Sequence, residues 1–502
     1  VAGLRNQASS DDVYALLEAG RGDDALALSR RLVAAAPESH AMIAAHCAAL
    51  KAVGRKLEAL AFNQRAVELF PTSGVAWHNY AATLDDVGRH ADAIDAIREA
   101  FRQGTRGAAT RLVLCHAYMH LGNHADAEVG YRALLQEHPG DTIAAQELAR
   151  LIWTTTGDAR RATAPLQALR DAVGPEPGAV LLEARILRAA GRPEALEQLF
   201  AEALARRPDD VALLSAAANA ALVDGRLEAA LDLATRAVAL APNHAPALTE
   251  LVAIRLAQGR SAEAWDVAER AVMASAHDLS TWAWLATAAR AVGDPVAAEL
   301  NDYAALVRTY RIETPPGWPS LEAYLQQLAE VLDREHSLDF EPPDQSVRGG
   351  VQTSTDLSRS QSPELQALFA ALDAPIRSYL TSLGTGAGPL LRRNTFAYRI
   401  DSAWSVRLRP GGFHDNHFHA KGWISSAFYV ATPDAVRSGS DRQGWLKLGE
   451  PPFPTLPPLP AEHFVQPEPG LLVLFPSYMW HGTVPFSSDE SRLSVAFDVL
   501  PA

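Results

Sequence analysis

The chain has 502 residues, 48% of them hydrophobic, which is more than a single core accommodates and predicts about two to four globular domains. Its formal net charge of -14 argues against a nucleic-acid-binding surface, which needs a basic stripe to replace phosphate counterions. The two cysteines, Cys47 and Cys115, exclude a disulfide framework and point to a reducing compartment. No apolar run approaches about 18 residues and the opening VAGLRNQASSDD has no apolar leader core, so the expected location is cytoplasmic, without a membrane.

The first three hundred residues repeat. Glycines stand at Gly20, Gly54, Gly88, Gly122, Gly157, Gly191, Gly225, Gly259 and Gly293, 34 apart except for one step of 35. Prolines follow 17 residues after five of them, at Pro37, Pro71, Pro139, Pro208 and Pro242. Ala59, Ala93, Ala127, Ala264 and Ala298 each lie five residues after a glycine. The physical reading is a pair of antiparallel helices per unit: glycine ends the first, alanine allows close packing, and proline stops the second. Trp77, Ala81 and Leu84 then form one apolar stripe, and Ala93, Ile97 and Ala100 the facing one. In period, turn glycine, small residue and closing proline the pattern resembles the tetratricopeptide repeat, with about nine units over residues 6–312. The resemblance implies an all-α solenoid offering a concave surface to a peptide or protein. Trp77 and Trp282 share a register and read as core. Cys47 and Cys115 take positions held elsewhere by Ala81, Ala184, Ala218 and Ala286, and read as small packing residues. His78 and His116 are candidates for the concave, peptide-holding surface, but surface histidines without a role are commoner and that is the reading taken.

The pattern stops at ETPPGWPS, residues 313–320. Ser320 caps a helix with Leu321, Tyr324, Leu325, Leu328, Val331 and Leu332 at helical spacing, expected to close the end of the array. A further helix is predicted from Ser362-Pro363 to about Gly384. Short alternating runs follow: TFAYRI, AWSVRLR, WISSAFYVA, WLKLG, LLVLF and RLSVAFDVL. They predict antiparallel strands of a sandwich or barrel. EPPFPTLPPLP, residues 450–460, is too rich in proline for a central strand and is expected to loop over one opening. The expected organisation is an array over 1–312, a linker and capping helix over 313–340, and a mainly-β domain over 341–502.

The chemistry concentrates in GGFHDNHFHAKGW and in LLVLFPSYMWHGTVPF with the strand after it. The first strand is expected to turn at Pro410-Gly411-Gly412 and deliver His417 and His419, which in an extended chain point to the same side. His481 would come from another strand, and Arg492 opens the last one as Arg-x-Ser with Ser494. Three ligands on one face of an octahedron suit a non-haem Fe(II) site that leaves room for a bidentate oxo-acid and O2. Arg492 would hold the far carboxylate of the co-substrate through a two-pronged contact, with Ser494 a further donor. Tyr398 and Tyr429 are candidates to hydrogen-bond it too. His414 and Asp415 read as loop or supporting residues, Arg407 and Arg409 as a solvated face, and Arg348 and Gln352 as candidate substrate or co-substrate contacts.

SVRGGVQTSTDL, GGFHDNHFHAKGWISSAFYV and GLLVLFPSYMWHGTVPFSSDESRLSVAFDV together resemble the 2-oxoglutarate-dependent Fe(II) oxygenases over about 340–500. The resemblance implies a double-stranded β-helix, a jelly roll, with His417 as first ligand, His481 as distal ligand and Arg492 as 2-oxoglutarate anchor. The chain departs from the common pattern because His419 stands where a carboxylate usually does. A third imidazole would leave the iron one unit more positive; alternatively His419 does not ligate and water takes its place. Fusion of such a domain to a tetratricopeptide array is similar to the aspartyl/asparaginyl β-hydroxylases in architecture, which implies hydroxylation of a polypeptide. Two other readings stand beside this one. A cupin would share the H-x-H pair, but Ala420, Lys421 and Gly422 follow where a cupin glutamate would be expected. A non-catalytic repeat scaffold would not require His417, His481 and Arg492 together.

Overall fold

The computed structural model describes residues 8–439 and 441–502, so the first seven residues, read above for a leader and for the start of the array, lie outside the described residues. The chain forms two compact units, Val1–Leu151 and Ile152–Ala502.

In the first unit, helices pair in chain order: α1 (Ser10–Glu18) with α2 (Gly22–Ala35), α3 (His40–Ala52) with α4 (Lys56–Leu69), α5 (Gly74–Asp86) with α6 (His90–Arg102), and α7 (Ala108–His120) with α8 (His124–Glu137). The next helix is α9 (Thr142–Thr156). The second unit has its own succession of helices, α10 (Ala159–Val173), α11 (Pro177–Ala189), α12 (Pro193–Arg206), α13 (Val211–Val223), α14 (Leu227–Leu240), α15 (Ala245–Ala257), α16 (Ser261–Ala274), α17 (Leu279–Val292) and α18 (Val296–Leu300). All nine periodic glycines have φ between 63° and 80°, the left-handed region where a Cβ is penalised, and each ends the first helix of a pair. Of the five small residues between helices, Ala59, Ala93, Ala127 and Ala264 are fully buried, whereas Ala298, in the short last helix, is exposed. This is a tetratricopeptide-like helical architecture.

Single residues fit that frame. Trp77 and Trp282 are half-buried, and each indole donates to a carbonyl six residues earlier, on Pro71 at 2.9 Å and on Ala276 at 3.0 Å. Cys47 and Cys115 are free and buried, and burial pushes both thiols up to about 12.

After α18 and α19 (Tyr303–Leu306) the chain enters a sheet earlier than expected. Residues 308–311, read as the end of the array, form β1 (Arg308–Arg311). The other strands are β2 (Val347–Gln352), β3 (Tyr398–His414), β4 (Ile424–Ala431), β5 (Leu446–Leu448), β6 (His463–Val465), β7 (Leu471–Pro476), β8 (His481–Thr483) and β9 (Arg492–Pro501). They make a six-stranded antiparallel sheet, β1-β7-β4-β9-β3-β2, and a three-stranded sheet, β6-β5-β8. A pair of antiparallel sheets of this kind is a jelly-roll arrangement.

Two local expectations need correction. The chain does not leave the sheet at Pro410-Gly411-Gly412: it bulges there, residues 409–412 standing opposite Gly349 with Gly411 at φ 80°, and β3 then resumes pairing with β2 as Arg348↔Phe413 and Val347↔His414. Gly412 lets the strands approach, because a Cβ there would lie 2.6 Å from the Gly349 carbonyl oxygen and 2.8 Å from that of Arg409. The Ser320 hydroxyl caps α20 (Leu321–Glu335), accepting from Ala323 N–H at 3.1 Å. That helix packs on β4 and on α21 (Pro363–Leu383) instead of closing the array. The proline-rich 450–460 segment is anchored to repeat helices: Leu456 N–H donates to Leu256 C=O at 3.0 Å and Phe453 stacks on Trp284.

Within the second unit, one apolar core runs from α13 through α17, α20 and α21 into β4, β7 and β9. The turn between β7 and β8 is held from the repeat side: Trp480 Nε1 donates to Thr287 Oγ1 at 2.9 Å, its ring meets Trp284 edge-on, and Tyr478 Oη donates to Leu300 C=O at 2.8 Å. The last repeats thereby fix the backbone that delivers His481.

Candidate metal centre

His417 and His481 face each other across an isolated antiparallel bridge, each N–H donating to the other's carbonyl at 2.8 Å. This non-strand segment is pinned again where His419 N–H donates to Ser477 C=O at 2.9 Å. The imidazole centroids are 4.2 Å apart for His417 and His481, and 5.1 Å for His419 with either. One nitrogen from each of the three lies within 4.8 Å of the others.

The hydrogen bonds of the Nδ1 atoms leave Nε2 as the nitrogen each ring can offer. His417 Nδ1 lies 2.8 Å from Asp415 C=O, His481 Nδ1 2.9 Å from Met479 C=O, and His419 Nδ1 2.7 Å and 2.9 Å from the Asp498 carboxylate oxygens. Carbonyl and carboxylate oxygens only accept, so each Nδ1 carries the hydrogen and each Nε2 keeps its lone pair for the shared centre. Burial, reinforced by His419, pushes His417 down to about 3, and burial with the neighbouring imidazoles holds His481 well below the usual histidine range. Both are neutral near pH 7, the state a ligating imidazole requires.

The adjoining cavity is lined by Arg492, Ser494, Tyr429, Gln352 and Trp404. Arg492, at the start of β9, is only 2% exposed. Its Nη1 donates to Gly444 C=O at 2.6 Å, while its buried Nε has no partner among the described residues. Its guanidinium lies 5.7 Å from the Tyr429 ring centre, and the buried Tyr429 hydroxyl also has no partner. Burial lowers the Arg492 pKa and raises that of Tyr429. A buried guanidinium without a counter-anion is costly by several kcal/mol. The orphaned Nε and hydroxyl therefore suit an anionic ligand beside the imidazoles, and the donor set fits iron with a 2-oxo acid.

Of the residues singled out from the sequence, His417, His419, His481, Arg492, Ser494 and Tyr429 are brought together. Tyr398 is not: it sits at the far end of β3, paired with Pro501, and its hydroxyl donates to Asp373 at 2.7 Å. Gln352 lines the cavity, whereas Arg348 pairs with Asp415 at 2.8 Å. Arg407 pairs with Asp333 of α20, and Arg409 donates to Asp339 C=O. His414 is more than loop: burial holds it well below its usual range, and Ser346 Oγ bridges its Nδ1 at 3.0 Å and His417 Nε2 at 3.2 Å. Ser346 and Asp498 went unread in the sequence. The signal for Asp498 was present, since Arg492, Ser494, Ala496 and Asp498 alternate along one strand.

Residues 402–498 match the family model described as "Putative 2OG-Fe(II) oxygenase". No curated protein matches the chain. Similar solved structures include a chain of the APC/C hetero-tetramer Cut9-Hcn1, at 21% identity and TM-score 0.33, covering 48% of this chain and 48% of that one. This chain thus spans about half of that protein's length. A tetratricopeptide repeat protein from Parabacteroides merdae is similar at 17% identity and TM-score 0.34, over 48% of this chain and 96% of that one. PilF of Pseudomonas aeruginosa is similar at 15% identity and TM-score 0.33, over 41% and 92%. No helix among the described residues is long and apolar enough to cross a membrane.

Proposed function

We propose that this chain, with a domain of the 2-oxoglutarate/Fe(II) oxygenase kind at its C-terminus, is a dioxygenase that hydroxylates a peptide or protein recruited by its repeats. The balanced reaction takes a C–H group, 2-oxoglutarate and O2 to the C–OH product, succinate and CO2. The observation that carries the reading is the buried Arg492, without a counter-anion, beside three imidazoles that share one centre.

His417, His419 and His481 would hold the iron, which when bound with 2-oxoglutarate supplies the activation of O2. Arg492 would receive the far carboxylate through Nε and its second terminal nitrogen, and the Tyr429 hydroxyl would donate to the same anion. Ser494, on the same strand, lines the cavity as a further donor. Phe475 and Trp404 close the cavity walls and limit water around the reacting groups.

The substrate would arrive past Gln345, Gln352 and Trp404, which are shared by the cavity and an adjoining pocket lined by residues 353–356 and Ser402. That outer pocket offers hydroxyls and amides, groups able to bond a peptide backbone. The helix pairs supply a surface for the rest of the polypeptide. A cupin without 2-oxoglutarate, or a bare scaffold, has no use for a buried unpaired arginine in that position. The reading is tested by incubating the protein with Fe(II), O2 and 2-oxoglutarate and measuring succinate. Succinate formation that depends on iron and is lost in His481→Ala supports it; no succinate above the variant's background, with or without candidate peptides, rejects it.

A further inference from the structure

The third histidine raises the question of charge, and the structure contains a carboxylate that answers it. Asp498 lies on β9, six residues beyond Arg492, and both of its oxygens reach His419 Nδ1, at 2.7 Å and 2.9 Å. Its side chain is 15% exposed and that of His419 17%, so the pair is largely shielded from water. No Arg or Lys of the described residues lies within ion-pair distance of Asp498. Ser425 sits where the two groups meet, its Oγ 2.8 Å from Asp498 Oδ1, 3.1 Å from His419 Nδ1 and 2.9 Å from Ser477 Oγ, and holds the carboxylate against the ring. Gly422 leaves room for this arrangement, since a Cβ there would come within 2.4 Å of Ser477 Oγ and 3.3 Å of Asp498 Cγ. The other two imidazoles rest their Nδ1–H groups on neutral backbone carbonyls. His419 is singled out.

We propose that Asp498 is the positioning residue for the third metal ligand, holding His419 with Nδ1–H toward the carboxylate and Nε2 toward His417 and His481, and supplying the site's missing negative charge one imidazole ring away from the metal. This rests on the oxygenase reading only in supposing that the three imidazoles take a metal. In a site with two histidines and a carboxylate, the anion touches the metal; here it polarises a ligand, making that imidazole a stronger donor. One of the iron's positive charges would thus be balanced by a largely shielded anion, while Arg492 remains available to the co-substrate.

The test uses full-length protein under anaerobic conditions, with Co(II) as a spectroscopic stand-in for Fe(II), and nitrogen-15 NMR of the histidine rings in metal-free protein. Asp498→Asn can offer its amide N–H to His419 Nδ1 and so drive the ring toward the Nε2–H form, in which the lone pair no longer faces the centre. The expected results are a weakening of Co(II) affinity by about 10- to 100-fold, a changed ligand-field spectrum, and a shift of His419 from the Nδ1–H to the Nε2–H tautomer. In a His419→Ala background the same substitution should change Co(II) affinity by less than about twofold, because the ligand it positions is gone. If Asp498→Asn does not fold, Ser425→Ala should show the same spectral change to a smaller degree. An unchanged tautomer and affinity in Asp498→Asn, or an equal loss in the His419→Ala background, overturns the proposal. Wild-type protein that binds no Co(II) overturns it together with the oxygenase reading, whereas Co(II) binding without any 2-oxoglutarate response overturns the latter alone.

Discussion

Each compact unit contains a group of histidines, and the two groups are built to opposite ends. In the first unit, Asp85 at the end of α5 stands between His90, 2.7 Å away, and His116, 3.4 Å away. His120 stacks on His90 with centroids 4.5 Å apart. The carboxylate there is the centre, and the nitrogens turn toward it. In the second unit the carboxylate and the backbone carbonyls stand outside the group, hold the Nδ1 atoms, and leave the Nε2 atoms facing one another. Only the second arrangement brings three ligand atoms within 4.8 Å among the described residues. A count of histidines therefore says little; what their outer nitrogens are tied to decides whether the inner ones converge.

Removing a ligand should separate the two histidine groups most strongly. His481→Ala should abolish tight Fe(II) or Co(II) binding in anaerobic titration, while His116→Ala leaves it unchanged; equal effects would erase the distinction between the groups. Next in size, Arg492→Ala should weaken 2-oxoglutarate binding by about 2 to 4 kcal/mol with metal affinity nearly intact, read by calorimetry with and without metal. Parallel loss of both would assign Arg492 a structural role. Gly412→Ala should destabilise the second unit by about 1 to 3 kcal/mol, since its methyl group meets backbone oxygens that cannot move aside. Denaturant unfolding followed by tryptophan fluorescence measures it, and an unchanged midpoint would refute the close approach of β2 and β3.

The smallest effect separates the first unit by pH. Burial alone would raise the Asp85 carboxyl, but hydrogen bonds from His116 and His90 outweigh it and bring it down to about 2. A carboxyl lowered on folding contributes stability above its unfolded value near 3.8, and that contribution is lost as pH falls toward 2. His116 is raised by the same hydrogen bond, so its contribution is complete below its unfolded value of 6.5 and fades as pH rises through the higher folded value. Asp85→Asn should therefore cost the first unit roughly 2 kcal/mol at pH 5 and much less at pH 2. A penalty independent of pH would contradict the pairing.

The repeat architecture was legible because a period of 34 is a property of the chain itself, and every glycine that marks it adopts the conformation its position requires. His417, His419, His481 and Arg492 were legible as residue types whose spacing suits one chemistry. What escaped reading depended on pairing across the fold. β3 continues through Pro410-Gly411-Gly412 because β2 lies alongside, a fact that no local preference encodes. Residues 308–311 become a strand because β7 offers an edge. The apolar stripe of α20 was evident, but not whether a repeat or a sheet would cover it. Tyr398 and Tyr429 look alike in sequence, and only register puts one beside Arg492 and the other beside Asp373. Asp498 could have been found by counting alternate residues along β9 from Arg492.

The most direct test of the central claim is an anaerobic titration of the metal-free protein with Fe(II) and then 2-oxoglutarate, following the weak visible charge-transfer band of the chelated complex. The wild type should show a band that is lost in His481→Ala and that needs far more 2-oxoglutarate in Arg492→Ala. Iron binding without a band, or a band indifferent to both substitutions, would contradict that claim.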